Sequence, residues 1–118
     1  MDTQSIVTYK SAFDAIMHEI MADDGSQMEV WYARELQQVC GYARWENFQV
    51  AINRAKDSCN SQNISIDDHF RDVTKTIPMP KGAQKEIKDV LLTRYACYLI
   101  AQNGDPKKEE IAFAQSYF

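Results

Sequence analysis

The chain has 118 residues, of which 45% are hydrophobic, 11% aromatic and 25% charged. This is the composition of one folded globular domain, and it excludes a disordered or fibrous protein. The formal net charge of −4 excludes a uniformly basic surface that would draw the whole protein onto nucleic acid. However, residues 1–30 carry one base and six acids, whereas residues 71–94 carry six bases and three acids. A local basic surface is therefore compatible with the acidic whole.

The cysteines and the hydropathy pattern indicate the compartment. Cys40, Cys59 and Cys97 show no C-x-x-C spacing and lie among apolar helical neighbours, which predicts buried, reduced thiols rather than disulfides or a zinc site. No leader pattern begins the chain, and no apolar run approaches the roughly 20 residues that cross a bilayer. We expect a soluble, cytoplasmic protein that does not contact membranes.

The first 25 residues predict an N-terminal amphipathic helix and the turn that ends it. Apolar residues recur with helical spacing over residues 9–21, Ser11 is a plausible cap, and ADDGS (22–26) is typical of a turn. The apolar positions are Phe13, Ile16, Met17 and Ile20.

Two helices are predicted after a short strand centred on Val30 and Trp31. The first covers ARELQQVCGY and stops at Gly41, and the second covers about Ala43–Cys59 with one buried apolar stripe. The stripe comprises Trp45, Phe48, Ile52, Ala55 and Cys59.

The second half of the chain predicts a hairpin and two more helices. SIDDHF is a helix start capped by Ser65, and the segments around PMPKGAQ alternate as two strands joined by a long tip. A helix over about Thr93–Gln102 then meets a second one that starts at Pro106. NGDPKK between them fits a corner, with Asn103 and Gly104 at positive φ, better than a phosphate-binding loop, which needs more glycines.

These elements predict an α+β fold: a helix-rich single domain over residues 1–118, with a small antiparallel sheet made of the tryptophan strand and the β-hairpin. A helical stripe of Ile111, Ala114 and Phe118 stops in mid-pattern, so we expect the N-terminal fragment of a longer chain.

Four separated blocks between Glu29 and Phe118 resemble a known family. VWYARELQQVCGY resembles the opening of the BRO-N domain of viral and phage antirepressor-type proteins. NFQVAINRAKDSC, IDDHFRDV and LLTRYACYLIAQNGDPKKEEIAFAQSYF are similar to the family of bacterial DNA-damage-inducible protein D. The resemblance implies a non-enzymatic, nucleic-acid-linked role in the DNA damage (SOS) response, and it supplies no catalytic residues.

The two helices around Gly41 have the spacing of a helix-turn-helix, whose second helix would present Arg44, Asn47 and Arg54 to DNA. Arginine and asparagine can bond guanine and adenine edges bidentately. The alternative is the solvated polar face of an ordinary packed helix.

Lysines supply a second set of candidate nucleic-acid contacts. The hairpin lysines would form a wing against phosphates, or would only keep an exposed hairpin soluble. Two further lysines lie in the predicted first turn of the last helix, where anions are favoured, although Glu109 and Glu110 follow directly. The six residues are Lys75, Lys81, Lys85, Lys88, Lys107 and Lys108.

No cofactor, metal site or catalytic group is predicted. Asp67, Asp68 and His69 are ligand types of metal nucleases, but no spacing supplies the further carboxylates. Helix capping is therefore favoured, with His69 on the surface. Two function classes stay open: a DNA-binding domain, and a module that binds DNA-repair or recombination proteins. The oligomeric state is also open.

Overall fold

A computed structural model describes residues 1–118 as five α-helices and one four-stranded antiparallel sheet. The fold class is therefore α+β, as predicted. In chain order the elements are α1 (Thr3–Ala15), β1 (His18–Met21), β2 (Gln27–Tyr32), α2 (Ala33–Val39), α3 (Trp45–Ser61), a 3-10 turn (Ile66–Asp68), β3 (Phe70–Pro78), a 3-10 turn (Pro80–Gly82), β4 (Gln84–Thr93), α4 (Arg94–Gln102) and α5 (Glu109–Tyr117).

The sheet has the strand order β1-β2-β4-β3, and one of its faces carries the core. Trp31 lies opposite Leu92, which lies opposite Phe70 on the outer strand. All three side chains are buried, and Trp31 packs edge-on against Phe118 after the end of α5. Because directly opposed residues project to the same face, this row joins the sheet to the helices.

The prediction for the central helices is confirmed. The stripe along α3 is buried from Phe48 to Cys59, with Trp45 half-buried at its start. Gly41 ends the preceding segment at φ +77°, a conformation that costs residues with a Cβ about 1–2 kcal/mol. All three cysteines are buried and unpaired, as predicted.

The N-terminal prediction is wrong in extent. The helix runs over Thr3–Ala15, and its N-cap is Asp2, whose carboxylate accepts a hydrogen bond from the Ser5 N–H. Residues 18–21 form β1 instead of a further helical turn. Pairing with β2 satisfies the backbone of this short segment, and the tertiary contact therefore overrides its helical spacing.

The β-hairpin is confirmed, and its outer part projects from the sheet. Strand β2 pairs with β4 only at Leu91, Leu92 and Thr93, so residues 74–88 form a two-stranded ribbon, which we call the arm. Every residue from Pro78 to Glu86 is exposed.

The corner between α4 and α5 is confirmed, but its details differ from the prediction. Asn103 has φ −101° and Gly104 does not adopt positive φ. Helix α5 begins at Glu109 rather than Pro106. In the middle of the chain, Ser65 makes no side-chain cap bond and a 3-10 turn replaces the predicted helix. No helix combines the length and apolarity needed to span a bilayer.

Candidate nucleic-acid interface

The outer face of α3 presents Asn47, Val50 and Arg54 to solvent. Arg44 precedes the helix as its N-cap residue, and its Nε lies 3.9 Å from the Glu46 carboxylate. The predicted face is therefore present, except that Arg44 stands outside the helix. Helix α3 as a whole contains two acidic and two basic residues and therefore has no net charge.

The α4–α5 corner lies against the outer face of α3. The Tyr42 hydroxyl accepts a hydrogen bond from the Asp105 N–H at 2.8 Å, and burial raises the pKa of that hydroxyl. The Lys108 ammonium donates to the Gly41 carbonyl at 3.0 Å and lies 5.0 Å from the centre of the Tyr42 ring. Lys107 is exposed in the turn before α5. Neither lysine is in the first turn of a helix, which corrects the prediction, and Lys108 is already occupied within the protein.

A second surface, which we call the α3–arm groove, lies on the opposite side of α3. It is an open depression of about 670 Å³ between that helix and the base of the hairpin. Its lining contains two lysines and two aspartates, and comprises Trp45, Gln49, Lys56, Asp72, Val73, Thr74, Lys88, Asp89 and Val90.

Arg34 of α2 contacts two residues that line this groove. Its guanidinium lies 4.0 Å from the centre of the Trp45 ring, and its Nε donates to the Lys88 carbonyl at 2.9 Å. Beneath it, the Asp89 carboxylate is 2% exposed and accepts hydrogen bonds from the N–H groups of Arg34 and Val90 at 3.0 and 2.8 Å. Asp89 thereby satisfies an N-terminal donor of α2 and fixes it to the base of the arm.

The arm lysines do not share one face. Lys75 lies opposite Ile87 and Lys85 opposite Ile77, so these two lysines project to one side of the ribbon. Lys88 lies opposite Thr74 and projects to the other side. Lys81 lies in the tip turn at φ +65°. The structure therefore brings Lys88 to the α3–arm groove, and it separates Lys88 from Lys75 and Lys85.

Sequence reasoning missed Arg34 and Lys56 and assigned Trp45 to the core. A signal was available for two of them: Trp45, Gln49 and Lys56 are spaced i, i+4, i+11 and share one side of a helix. The approach of Arg34 depends on tertiary packing and leaves no local pattern.

The titratable groups form no metal-binding cluster, and the buried thiols are not activated. No cluster of three or more His, Cys, Asp or Glu side chains is placed to hold a metal ion. Burial raises the pKa of the Cys40 thiol to about 12 and that of Cys97 well above its usual value, which disfavours a reactive thiolate. His69 is half-buried and hydrogen-bonded through Nδ1 to the Thr93 hydroxyl at 2.8 Å, so the prediction that it lies on the surface is wrong.

Comparison with known proteins relates the chain to one family. The model of the BRO family N-terminal domain matches residues 23–118. DNA damage-inducible protein D of Escherichia coli K12 is 40% identical over 100 residues, which are 85% of this chain and 36% of that protein. The chain thus spans about a third of the length of this curated relative. No solved structure matches it.

Proposed function

Because the chain belongs to the BRO family of N-terminal domains, we propose that residues 1–118 form a non-enzymatic regulatory domain of the DNA damage response, which contacts DNA. The assignment to the DNA damage response is based on the name of the E. coli relative. Neither that name nor the family description includes an enzymatic activity.

The observation that carries this proposal is the set of cations around the α3–arm groove. Arg34, Lys56 and Lys88 surround a half-buried Trp45 at the base of an arm that carries three further lysines. None of these six cations makes an ion pair within the protein. Lysine and arginine supply phosphate contacts, and these three cations lie close together at one surface.

The experiment is fluorescence anisotropy with labelled single- and double-stranded DNA over a range of salt concentrations. We expect the logarithm of the binding constant to fall linearly with the logarithm of the salt concentration. Lys56→Ala/Lys88→Ala lowers the slope by about 1.8, because each phosphate contact contributes about 0.9 on duplex DNA.

Arg44→Ala/Arg54→Ala is the matched control, since it removes two exposed charges outside the groove, one before the start of α3 and one on its outer face. Should this control lower the slope and the groove variant leave it unchanged, the outer face would be the DNA surface instead. Absence of salt-dependent binding by the wild-type protein at low salt would refute the DNA function for this domain.

A second candidate function is binding of a DNA-repair or recombination protein, and the outer face of α3 favours it. Val50 is 47% exposed on this face, between the exposed polar residues Asn47 and Arg54. An apolar centre with a polar rim is typical of protein interfaces rather than of phosphate contacts.

The test is a photo-crosslinking amino acid at position 50, with the more exposed position of Met21, which is 70% exposed, as the control. We expect a damage-dependent adduct with a repair or recombination protein at position 50 only. Equal yields of adduct at the two positions would remove this candidate.

A further inference from the structure

The arm is a long ribbon without support at its outer end. Seven residue pairs of β3 and β4 lie beyond the part of β4 that pairs with β2, and the outer five, from Thr74–Lys88 to Pro78–Gln84, form the arm. At about 3.4 Å per residue, these pairs and the intervals between them give the arm a length of roughly 14–17 Å before its tip. Such a projection contributes little to the core and is available to a partner.

Its charge is distributed over both of its faces. The arm contains four lysines and one glutamate, Glu86. Lys75 and Lys85 project from one face, Lys88 and Glu86 project from the other, and Lys81 lies at the tip. A ribbon that docks flat on an acidic surface needs cations on one face only. The arm instead has a lysine on each face, with Glu86 beside Lys88, and this placement lets lysines reach two phosphate backbones at once.

The tip between these lysines is apolar. Met79 is 40% exposed, and Pro78 and Pro80 beside it are exposed as well. Architectural proteins insert methionine, proline and other apolar side chains between base steps from the minor groove, and the duplex kinks there.

We propose that the arm enters the minor groove of duplex DNA, where Met79 and Pro80 act as a wedge between base pairs. The lysines of its two faces then lie against the two flanking backbones. This inference rests on the DNA function proposed above and specifies duplex DNA as the partner and a kinked duplex as the product.

Kinking follows from the dimensions. The minor groove is about 6 Å wide, whereas two strands lie about 4.8 Å apart before their side chains are counted. The ribbon therefore enters only a groove that has been widened, which the wedge achieves by unstacking one step. The major groove, about 12 Å wide, would take the ribbon flat against base edges. In that position the apolar tip would meet only thymine methyl groups, and no base step would be unstacked.

The experiment measures the bend of a duplex of about 30 base pairs with a donor and an acceptor dye at its two ends. The full 118-residue chain is compared with Met79→Gln, and Met21→Gln is the matched control because Met21 is exposed on β1. Wild type and the Met21 variant are expected to kink the duplex within the range of about 20–90° seen for such wedges. The Met79 variant is expected to bind the duplex and to lose most of the bend.

The salt dependence tests the two-faced contact separately. Lys75→Ala/Lys85→Ala lowers the logarithmic slope by about 1.8 and Lys88→Ala by about 0.9 if both faces meet phosphates. Salt-dependent binding with an unbent duplex, an unchanged bend in the Met79 variant, or a slope that only one face affects would overturn the wedge and leave the DNA function standing. Absence of any binding at low salt would overturn both.

Discussion

Asp89 connects α2 to the arm, and its removal gives the sharpest stability prediction. The side chain is 2% exposed, and one carboxylate oxygen accepts from the N–H groups of Arg34 and Val90. Hydrogen bonds to a charged group contribute about 1.5–3 kcal/mol, and an unsatisfied buried donor costs about 1–3 kcal/mol. Because the Arg34 N–H lies at a helix N-terminus that water can reach, we expect Asp89→Ala to lower the free energy of unfolding by about 3 kcal/mol.

Thermal and urea unfolding monitored by circular dichroism would measure this loss. For a domain of this length, 3 kcal/mol corresponds to a decrease in Tm of about 12 °C. Asp89→Asn keeps an acceptor oxygen and is expected to cost about 1 kcal/mol. The control is Asp72→Ala on β3, where the side chain is exposed and the expected change is within about 0.5 kcal/mol. Equal effects of the two alanine variants would refute the assigned role of Asp89.

Two further predictions concern packing and pH. A Cβ on Gly104 would lie 2.8 Å from Cδ1 of buried Ile111, so Gly104→Ala is expected to cost about 1–3 kcal/mol in urea unfolding. Adding Ile111→Val, which removes that atom, should cost less than the sum of the single changes. The hydrogen bond to Glu109 raises the pKa of Tyr9 to about 12. The folded state therefore binds the Tyr9 proton more tightly than the unfolded state does. The resulting contribution to the free energy of unfolding is fully present below about pH 10, and it is lost as the pH rises through about 12. Tyr9→Phe should weaken the alkaline decline of the urea midpoint, and an unchanged decline would contradict this.

The spacing of apolar residues predicted the central helices and strands correctly, because tertiary packing buries the same residues that the spacing indicates. The strand at Trp31 and the α3 stripe have unambiguous spacing, and the tip sequence around Pro78 and Pro80 cannot continue a strand. The prediction was wrong for residues 18–21, because four residues are too few to distinguish the period of a helix from that of a strand. Their structure depends on pairing with β2.

The candidate site was less predictable than the fold. The later start of α5 depends on the hydrogen bonds that Tyr42 and Lys108 make across the corner. The α3–arm groove requires Arg34 from α2 to approach Trp45. Contacts between elements distant in the sequence decide both features, and one sequence carries no periodic trace of them.

The net charge of −4 was the main argument against a DNA contact, and the position of the arm weakens that argument. Exposed charges interact over about 8 Å at physiological salt, because that is the Debye length. The arm extends roughly 14–17 Å beyond the sheet, so its tip lies outside the screened field of the acids on the body. A partner near the tip would meet Lys75, Lys81 and Lys85 with Glu86 as the one nearby acid on the arm. At lower salt the Debye length increases, and the repulsion between DNA and the acidic residues of the body then extends further. The affinity of the arm for DNA should therefore rise less steeply at very low salt than the lysine count alone predicts.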